Sequence, residues 1–219
     1  MQHLGLLFLL SVVLATSACA QAPRISQPPS PAAENPLERV PMPPPRPRLP
    51  PQVRVNERTI YYDVRGDSSQ EILASIRANS PIEEKGVDGR SLDAYMRWRI
   101  DWRYRFQQRN DACRFTNVTV TANLTTTLWR WTPSANASAS LISEWRRRAR
   151  ILLEHEDGHR NYTLLGARQI FSALRPMQAP TCDALQDKAD TEGRRILDTI
   201  RDINRRYDEV TLHGTIEPK

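Results

Sequence analysis

The chain has 219 residues, a formal net charge of +6, and a composition that is 39% hydrophobic and 26% charged. Most of this length is available for one folded domain with a substantial core. Arginines scattered along the chain supply the positive charge, and their only run of three, Arg146–Arg148, is interpreted as a solvated helix face. No nucleic-acid-binding motif accompanies them, so the composition does not predict a nucleic-acid partner.

The first twenty residues predict a secretory signal peptide. The apolar run Leu4–Leu14 is too short to span a bilayer, and small residues follow it as far as Ala20. Thr16-Ser17-Ala18-Cys19 resembles a bacterial lipobox with Thr in the usual place of Leu. We therefore expect export to the periplasm or cell envelope, with either cleavage after Ala20 or an outer-membrane lipid anchor on Cys19.

Residues 21–51 predict a disordered tether, because twelve of these 31 residues are proline and few are large and apolar. Such a segment acts as a semi-rigid spacer. The remaining residues, 52–219, are expected to form one domain, and the sequence indicates no oligomeric state.

Alternating patterns predict strands in the first half of this domain. Arg54–Val64 is rich in Val, Ile and Tyr, and Ser68–Ala78 follows with helical spacing of its apolar residues. Trp98–Phe106 and Val118–Thr125 each alternate apolar and polar residues, and the short connection between them predicts an antiparallel hairpin. We expect an antiparallel sheet with one short helix.

Two long helices are predicted to complete an α+β fold. The first is expected from near Ser140, as N-cap, to about Leu174, with a bend at Gly158 or Gly166. The second is expected from about Thr181 to Tyr207.

The cysteines are consistent with export. If Cys19 is removed or lipidated, Cys113 and Cys182 are the only pair left, and an oxidising compartment would join them. The sequence therefore predicts a Cys113–Cys182 disulfide.

The segment from His155 to His159 has the pattern H-E-x-x-H within the first long helix. Residues four apart lie on one helix face, so both imidazoles can bind one Zn²⁺ while Glu156 reaches a water beside it. His213 is the expected third ligand and would leave one position open. Carboxylates of the second helix are the alternatives, in the order Glu192, Asp190 and Asp187.

Several segments together resemble a family of exported bacterial proteins known as domain of unknown function 922. They are the H-E-x-x-H segment, Cys113 before a Thr-rich strand, Cys182 after the first long helix, and the closing run from Tyr207 to Gly214, which reads Y-D-x-x-T-x-H-G. Members are described as predicted secreted zinc-dependent proteases. The resemblance implies that His155, Glu156, His159 and His213 form the site, in a zincin-like arrangement.

The predicted function is a zinc metallopeptidase acting on peptides or proteins. Glu156 would act as general base, and Tyr207 would stabilise the oxyanion as a second catalytic residue. Asp208 is expected to orient a metal-bound histidine. A zinc amidase acting on cell-wall peptides and a non-catalytic zinc-binding envelope protein are the alternatives.

Overall fold

A computed structural model describes residues 43–86, 89 and 91–215 of the chain. The predicted signal peptide, Cys19 and residues 21–42 of the predicted tether lie outside these ranges. Within them, none of the helices combines the length and the apolar character that a membrane crossing requires.

A long antiparallel hairpin forms the centre of the sheet. Strand β2 (Ala94–Arg109) pairs with strand β3 (Ala112–Trp131) through a tight turn at Asn110, whose φ is 51°. Ile100 faces Ala122 in the register, so the apolar residues of both strands share one face. The predicted hairpin is confirmed, and both strands extend beyond the predicted limits.

The first strand shows that the sheet is mixed, so the prediction of an antiparallel sheet was wrong. Strand β1 (Val53–Val64) pairs parallel to β3, on the side opposite β2. Helix α1 (Ser69–Asn79) follows β1, and the chain returns to the sheet through β2. The chain reverses direction between β1 and β2 and again between β2 and β3, so β1 and β3 run in the same direction.

Two long helices lie against this sheet. Helix α2 (Ala139–Leu174) is N-capped by Ser138, whose hydroxyl accepts from the N–H of Leu141, rather than by Ser140 as predicted. The two-residue strand β4 (Gln178–Ala179) then pairs with the start of β3. Helix α3 (Cys182–Thr211) begins at its Thr181 cap, as predicted, but continues one turn beyond Tyr207. That additional turn carries residues of the candidate site.

The main core lies between the sheet and the two long helices. It combines the inner residues of the hairpin with the apolar stripe of α2 and one face of α3, including Ile100, Val120, Ala122, Leu164, Ile170, Leu174, Ile196 and Ile200. A second cluster joins α1 to the start of α2, where Trp145 packs edge-on against Trp129. Together these clusters fix α2 along the sheet.

Cys113 and Cys182 form a disulfide, as predicted. It connects the start of β3 to the first residue of α3 across 69 residues of sequence. Because that loop contains all of α2, the bond restricts the unfolded chain around the helix that carries the H-E-x-x-H residues.

Candidate metal centre

The H-E-x-x-H residues lie on the buried side of α2, facing the last turns of α3. His155, Glu156 and His159 are 2%, 6% and 7% exposed. Apolar residues continue the same helix face on either side, from Leu152 to Ala167. Three polar side chains therefore interrupt an otherwise apolar interface, and burial of such groups is costly unless each has a partner.

Asp208 of α3 supplies an oxygen that faces both imidazoles. Its Oδ1 lies 3.1 Å from Nε2 of His155 and 2.9 Å from Nε2 of His159. The two Nε2 atoms are 3.0 Å apart. The three atoms thus form a nearly equilateral triangle between α2 and α3.

The opposite nitrogen of His159 has a partner that defines the tautomer of this ring. His159 Nδ1 lies 2.6 Å from Oδ1 of Asn204, and Nδ2 of Asn204 donates to the carbonyl of Ile200. Because that bond orients the amide, its oxygen faces the imidazole, and an amide oxygen can only accept. His159 Nδ1 therefore carries a proton, so Nε2 of the neutral ring presents a lone pair.

His155 is held in the same tautomer by Thr211. The Thr211 hydroxyl donates its single proton to the carbonyl of Tyr207 at 2.6 Å, and its oxygen lies 3.1 Å from His155 Nδ1. His155 Nδ1 must therefore be the donor in this contact. Consequently Nε2 of the neutral ring again presents a lone pair toward Asp208.

This arrangement fits a divalent cation. Two imidazole lone pairs and one carboxylate oxygen converge, and a single proton can satisfy one pair of these atoms but not all three. Tetrahedral ligands about 2.1 Å from Zn²⁺ lie about 3.4 Å from one another, close to the distances observed here. Among the described residues, His155, His159 and Asp208 form the one group of at least three His, Cys, Asp or Glu side chains with this potential.

The ionisation of Asp208 agrees with a cation-binding role. Burial alone would raise the pKa of its carboxyl group, but hydrogen bonds and charge interactions with His155 and His159 outweigh burial and lower the pKa well below its usual range. Burial lowers the pKa of His155. Burial would also lower the pKa of His159, but its hydrogen bond to Asp208 and the charge of that carboxylate outweigh burial and raise it. Asp208 is therefore an anion between one imidazole that favours its neutral form and one from which a metal ion would have to displace a proton.

Glu156 is the second buried acid of the site and differs from Asp208. Burial raises the pKa of its carboxyl group to about 7. Its Oε2 atom has no hydrogen-bond partner in the part of the chain that the structure describes. A carboxyl group with a buried, unpaired oxygen and a pKa near neutrality is suited to exchanging protons.

His213 lies beside the triangle, on the turn that ends α3. Its Nδ1 is 3.3 Å from Asp208 Oδ1. Leu212, His213 and Gly214 are all left-handed, with φ of 47°, 52° and 71°, and this turn brings the chain back over His155. A Cβ at Gly214 would lie 2.9 Å from Cβ of His155, so only glycine allows this approach. The structure thus places His213 near the other two histidines, with Asp208 between.

Tyr207 packs against the rings of both histidines of α2. Its ring stacks on His155 at 4.8 Å between centroids and meets His159 edge-on at 5.1 Å. It is 1% exposed, and its hydroxyl has no hydrogen-bond partner among the described residues. The hydroxyl abuts Gly158, where a Cβ would lie only 2.5 Å from it. These contacts favour a positioning role over the predicted oxyanion contact, which stays a prediction.

The alternative carboxylates lie away from the triangle. Glu192 pairs with Arg195 at 2.6 Å and precedes Asp208 by about 24 Å of helix. Asp190 accepts hydrogen bonds from Trp102 and Tyr104 of β2. Asp187 is exposed on the same early part of α3. The acid that approaches the histidines, Asp208, was expected only to orient one of them.

A cavity of about 380 Å³ opens onto the triangle. His155, Glu156, His159, Asp208 and His213 line it. Four residues at the start of β2 also line it, namely Ala94, Tyr95, Met96 and Trp98. Lys85, Arg201 and Arg205 add cationic side chains to its lining. The candidate ligands are therefore accessible from the start of β2.

The chain belongs to a bacterial family described as bacterial protein of unknown function (DUF922), whose model matches residues 59–214. The predicted resemblance is confirmed. The matched range begins within β1 and ends at the glycine that packs on His155, so it contains every residue of the candidate site. Neither the curated proteins nor the solved structures include one that matches this chain.

The contact between Gly158 and Tyr207 predicts an unusual response to substitution. Glycine to alanine in a helix normally adds about 1 kcal/mol of stability. Gly158→Ala should instead lower the free energy of unfolding by about 1–3 kcal/mol, because the new methyl group overlaps the Tyr207 ring. Urea denaturation in the presence of a chelator measures this without a contribution from metal.

A double-mutant cycle provides the control. In a Tyr207→Phe background the cost of Gly158→Ala should decrease, because the hydroxyl is the nearest overlapping atom. An equal cost in both backgrounds, or a gain in stability, would contradict the proposed contact.

Proposed function

We propose that this member of the family is a zinc-dependent hydrolase that cleaves peptide bonds, with Glu156 as general base. The observation that carries the proposal is the convergence of His155 Nε2, His159 Nε2 and Asp208 Oδ1 within about 3 Å of one another. Glu156, directly after the first histidine, supplies the acid–base group that such chemistry requires.

The proposed Zn²⁺ ligands are His155, His159 and Asp208. Asp208 is favoured as the third ligand over His213 and Glu192 because its oxygen lies beside both imidazole lone pairs. Thr211 and Asn204 hold the imidazoles in the ligating tautomer, and Tyr207 fixes the plane of His155 by stacking on it. When bound, Zn²⁺ would acidify a water molecule and polarise the carbonyl group of a substrate.

Glu156 performs the proton transfers in this proposal. Its carboxylate accepts a proton from the attacking water as the water oxygen bonds to the carbonyl carbon. It then gives that proton to the amine nitrogen as the C–N bond breaks. A pKa raised to about 7 by burial makes both transfers accessible near neutral pH, and a neighbouring cation would favour the carboxylate form that starts the cycle.

The strand beside the cavity supports a peptide as substrate. Within the described part of the sheet, β2 pairs with β3 alone, so no strand covers its other edge, where the backbone of Met96 hydrogen-bonds to Glu156. The cavity follows this edge from Ala94 to Trp98. An extended peptide can pair with a free strand edge through main-chain hydrogen bonds, and a peptide bound in this way would have a peptide bond beside Glu156. Peptides of proteins and of the cell wall both meet this requirement.

Export of the chain is part of the proposal. The apolar run and the small residues of 1–20 support a signal peptide, and the Cys113–Cys182 disulfide is typical of an oxidising compartment.

One observation favours a non-catalytic zinc protein as the second candidate. His213 Nδ1 lies 3.3 Å from Asp208 Oδ1, a separation that also suits two ligands of one ion. If both residues bound Zn²⁺, the ion would have four protein ligands and would only join α2 to α3.

Replacement of Glu156 tests the catalytic role. Glu156→Gln should lower the hydrolysis rate of a denatured protein or cell-wall peptide by about 10²- to 10⁴-fold, because the amide cannot accept the proton. Zinc content should not change. The control is Asp157→Asn, which neutralises the adjacent carboxylate; its side chain is 61% exposed, and its activity should remain at the wild-type level. Equal rates for Glu156→Gln and wild type would exclude the proposed base.

Metal titration of two further variants separates the two candidates. Asp208→Ala should weaken zinc binding by more than about 100-fold, whereas His213→Ala should weaken it by about tenfold, as expected for a residue that contacts a ligand. Competition with a fluorescent chelator measures both affinities. An equal, large loss in His213→Ala would indicate a closed site with four protein ligands and would contradict the open catalytic site.

A further inference from the structure

One face of the sheet carries two rows of arginine on either side of a row of Asn and Thr. Alternation along each strand places the core residues on the other face. The central row belongs to β3 and consists of every second residue from Asn117 to Thr125. We call this row, together with the arginines on both sides of it, the arginine face. Its arginines are Arg54 and Arg58 of β1, and Arg97, Arg99, Arg103 and Arg105 of β2.

Hydrogen bonds across the strands confirm that these side chains share one face. Asn56 donates to Asn123 at 2.8 Å, and Asn123 donates to Asp101 at 3.2 Å. Arg58 donates to Thr125 at 3.1 Å. These bonds run from β1 through β3 to β2, so the polar groups are ordered rather than independently solvated.

The arginine face has a large excess of positive charge. Asp101 of β2 is the acidic residue within the rows described above, and it pairs with Arg99 at 2.6 Å. Arg97 pairs with Glu84, which precedes β2. Arg54, Arg103 and Arg105 are exposed, and no ion pair joins any of them to another residue in the described ranges. Their guanidinium groups are therefore available to an anion.

The dimensions of this surface suit an elongated ligand. Strands about 4.8 Å apart place the two arginine rows about 10 Å from each other, and the eight residue-to-residue steps from Asn117 to Thr125 extend for about 27 Å. A single linear chain that lies along β3 would have arginines on both sides and Thr and Asn beneath it.

The chemistry of the arginine face discriminates between classes of polyanion. Among the described residues of the three strands, no aromatic side chain lies between the two arginine rows, so bases of a nucleic acid would have no stacking partner. The same described residues include no large apolar side chain between the rows for insertion into a lipid surface. Hydroxyl and amide groups can instead bond to sugar hydroxyls, while arginines bind carboxylates in bidentate fashion.

We propose that the arginine face binds a linear acidic polysaccharide along β3. This role is independent of the proposed hydrolase, because the cavity beside His155 is lined by inner-face residues of β2, such as Met96 and Trp98. The polysaccharide would hold the protein on an anionic polymer through a surface that leaves the cavity open.

Calorimetric titration of the full chain with polygalacturonate oligomers tests the proposal. Arg54→Gln, Arg103→Gln and Arg105→Gln combined should weaken binding at least tenfold. The matched control combines Arg146→Gln, Arg147→Gln and Arg194→Gln, which removes the same charge from exposed positions of α2 and α3 and should weaken binding less than threefold. Melting temperatures confirm that each variant is folded.

A charge-neutral variant tests the central row separately. Thr119→Val with Thr121→Val keeps the β-branched shape that suits a strand and removes two hydroxyl groups. It should weaken polygalacturonate binding at least threefold.

Three results would overturn the proposal. Equal losses in the two arginine variants would indicate general electrostatic attraction, and an unchanged affinity in the threonine variant would exclude a role for the central row. Tighter binding of wild-type protein to phosphatidylglycerol vesicles or to poly(dT) than to polygalacturonate would assign the surface to a different partner.

Discussion

The candidate site depends on two imidazole rings held so that both present Nε2 to the same carboxylate oxygen. Asn204 and Thr211 determine this, because each offers only an acceptor to the Nδ1 atom of one ring. The tautomers are thus imposed by α3 on residues of α2. Without those two partners the rings could present an N–H to Asp208, and the space between them would be a hydrogen-bonded cluster rather than a cation site.

The close approach of α2 and α3 makes this convergence possible. Because Gly158 has no side chain, the Tyr207 ring can pack directly against α2. Gly166, about two helical turns further along α2, allows the same close packing of Ile200. The left-handed turn after α3 then places Gly214 against His155. The family model matches the chain as far as this glycine, so the matched region includes the turn that completes the candidate site. The arginine face lies on the side of the sheet opposite the core that packs on these helices, and it is available for a separate interaction.

Much of the fold could be predicted because its signals are local. Alternation with a short connection determines the β2–β3 hairpin, and apolar periodicity locates α2 and α3. The parallel partner of β1 was missed because it depends on the path of the chain through α1 and β2, which no local pattern encodes. Asp208 was predicted only as a residue that orients a ligand, because metal-bound imidazoles usually donate their other N–H to a carboxylate or carbonyl. The predicted second helix also ended one turn too early, at Tyr207. The Asp208–Thr211 spacing, one helical turn, was the available signal that both face His155.

The proposed zinc site can be located by diffraction data collected on both sides of the zinc absorption edge, from crystals of protein loaded with one equivalent of Zn²⁺. We expect one anomalous peak within about 2.2 Å of His155 Nε2, His159 Nε2 and Asp208 Oδ1. Glu156 should lie beside the metal without binding it. A peak elsewhere, or none between these three atoms, would contradict the proposed metal centre and the hydrolase built on it.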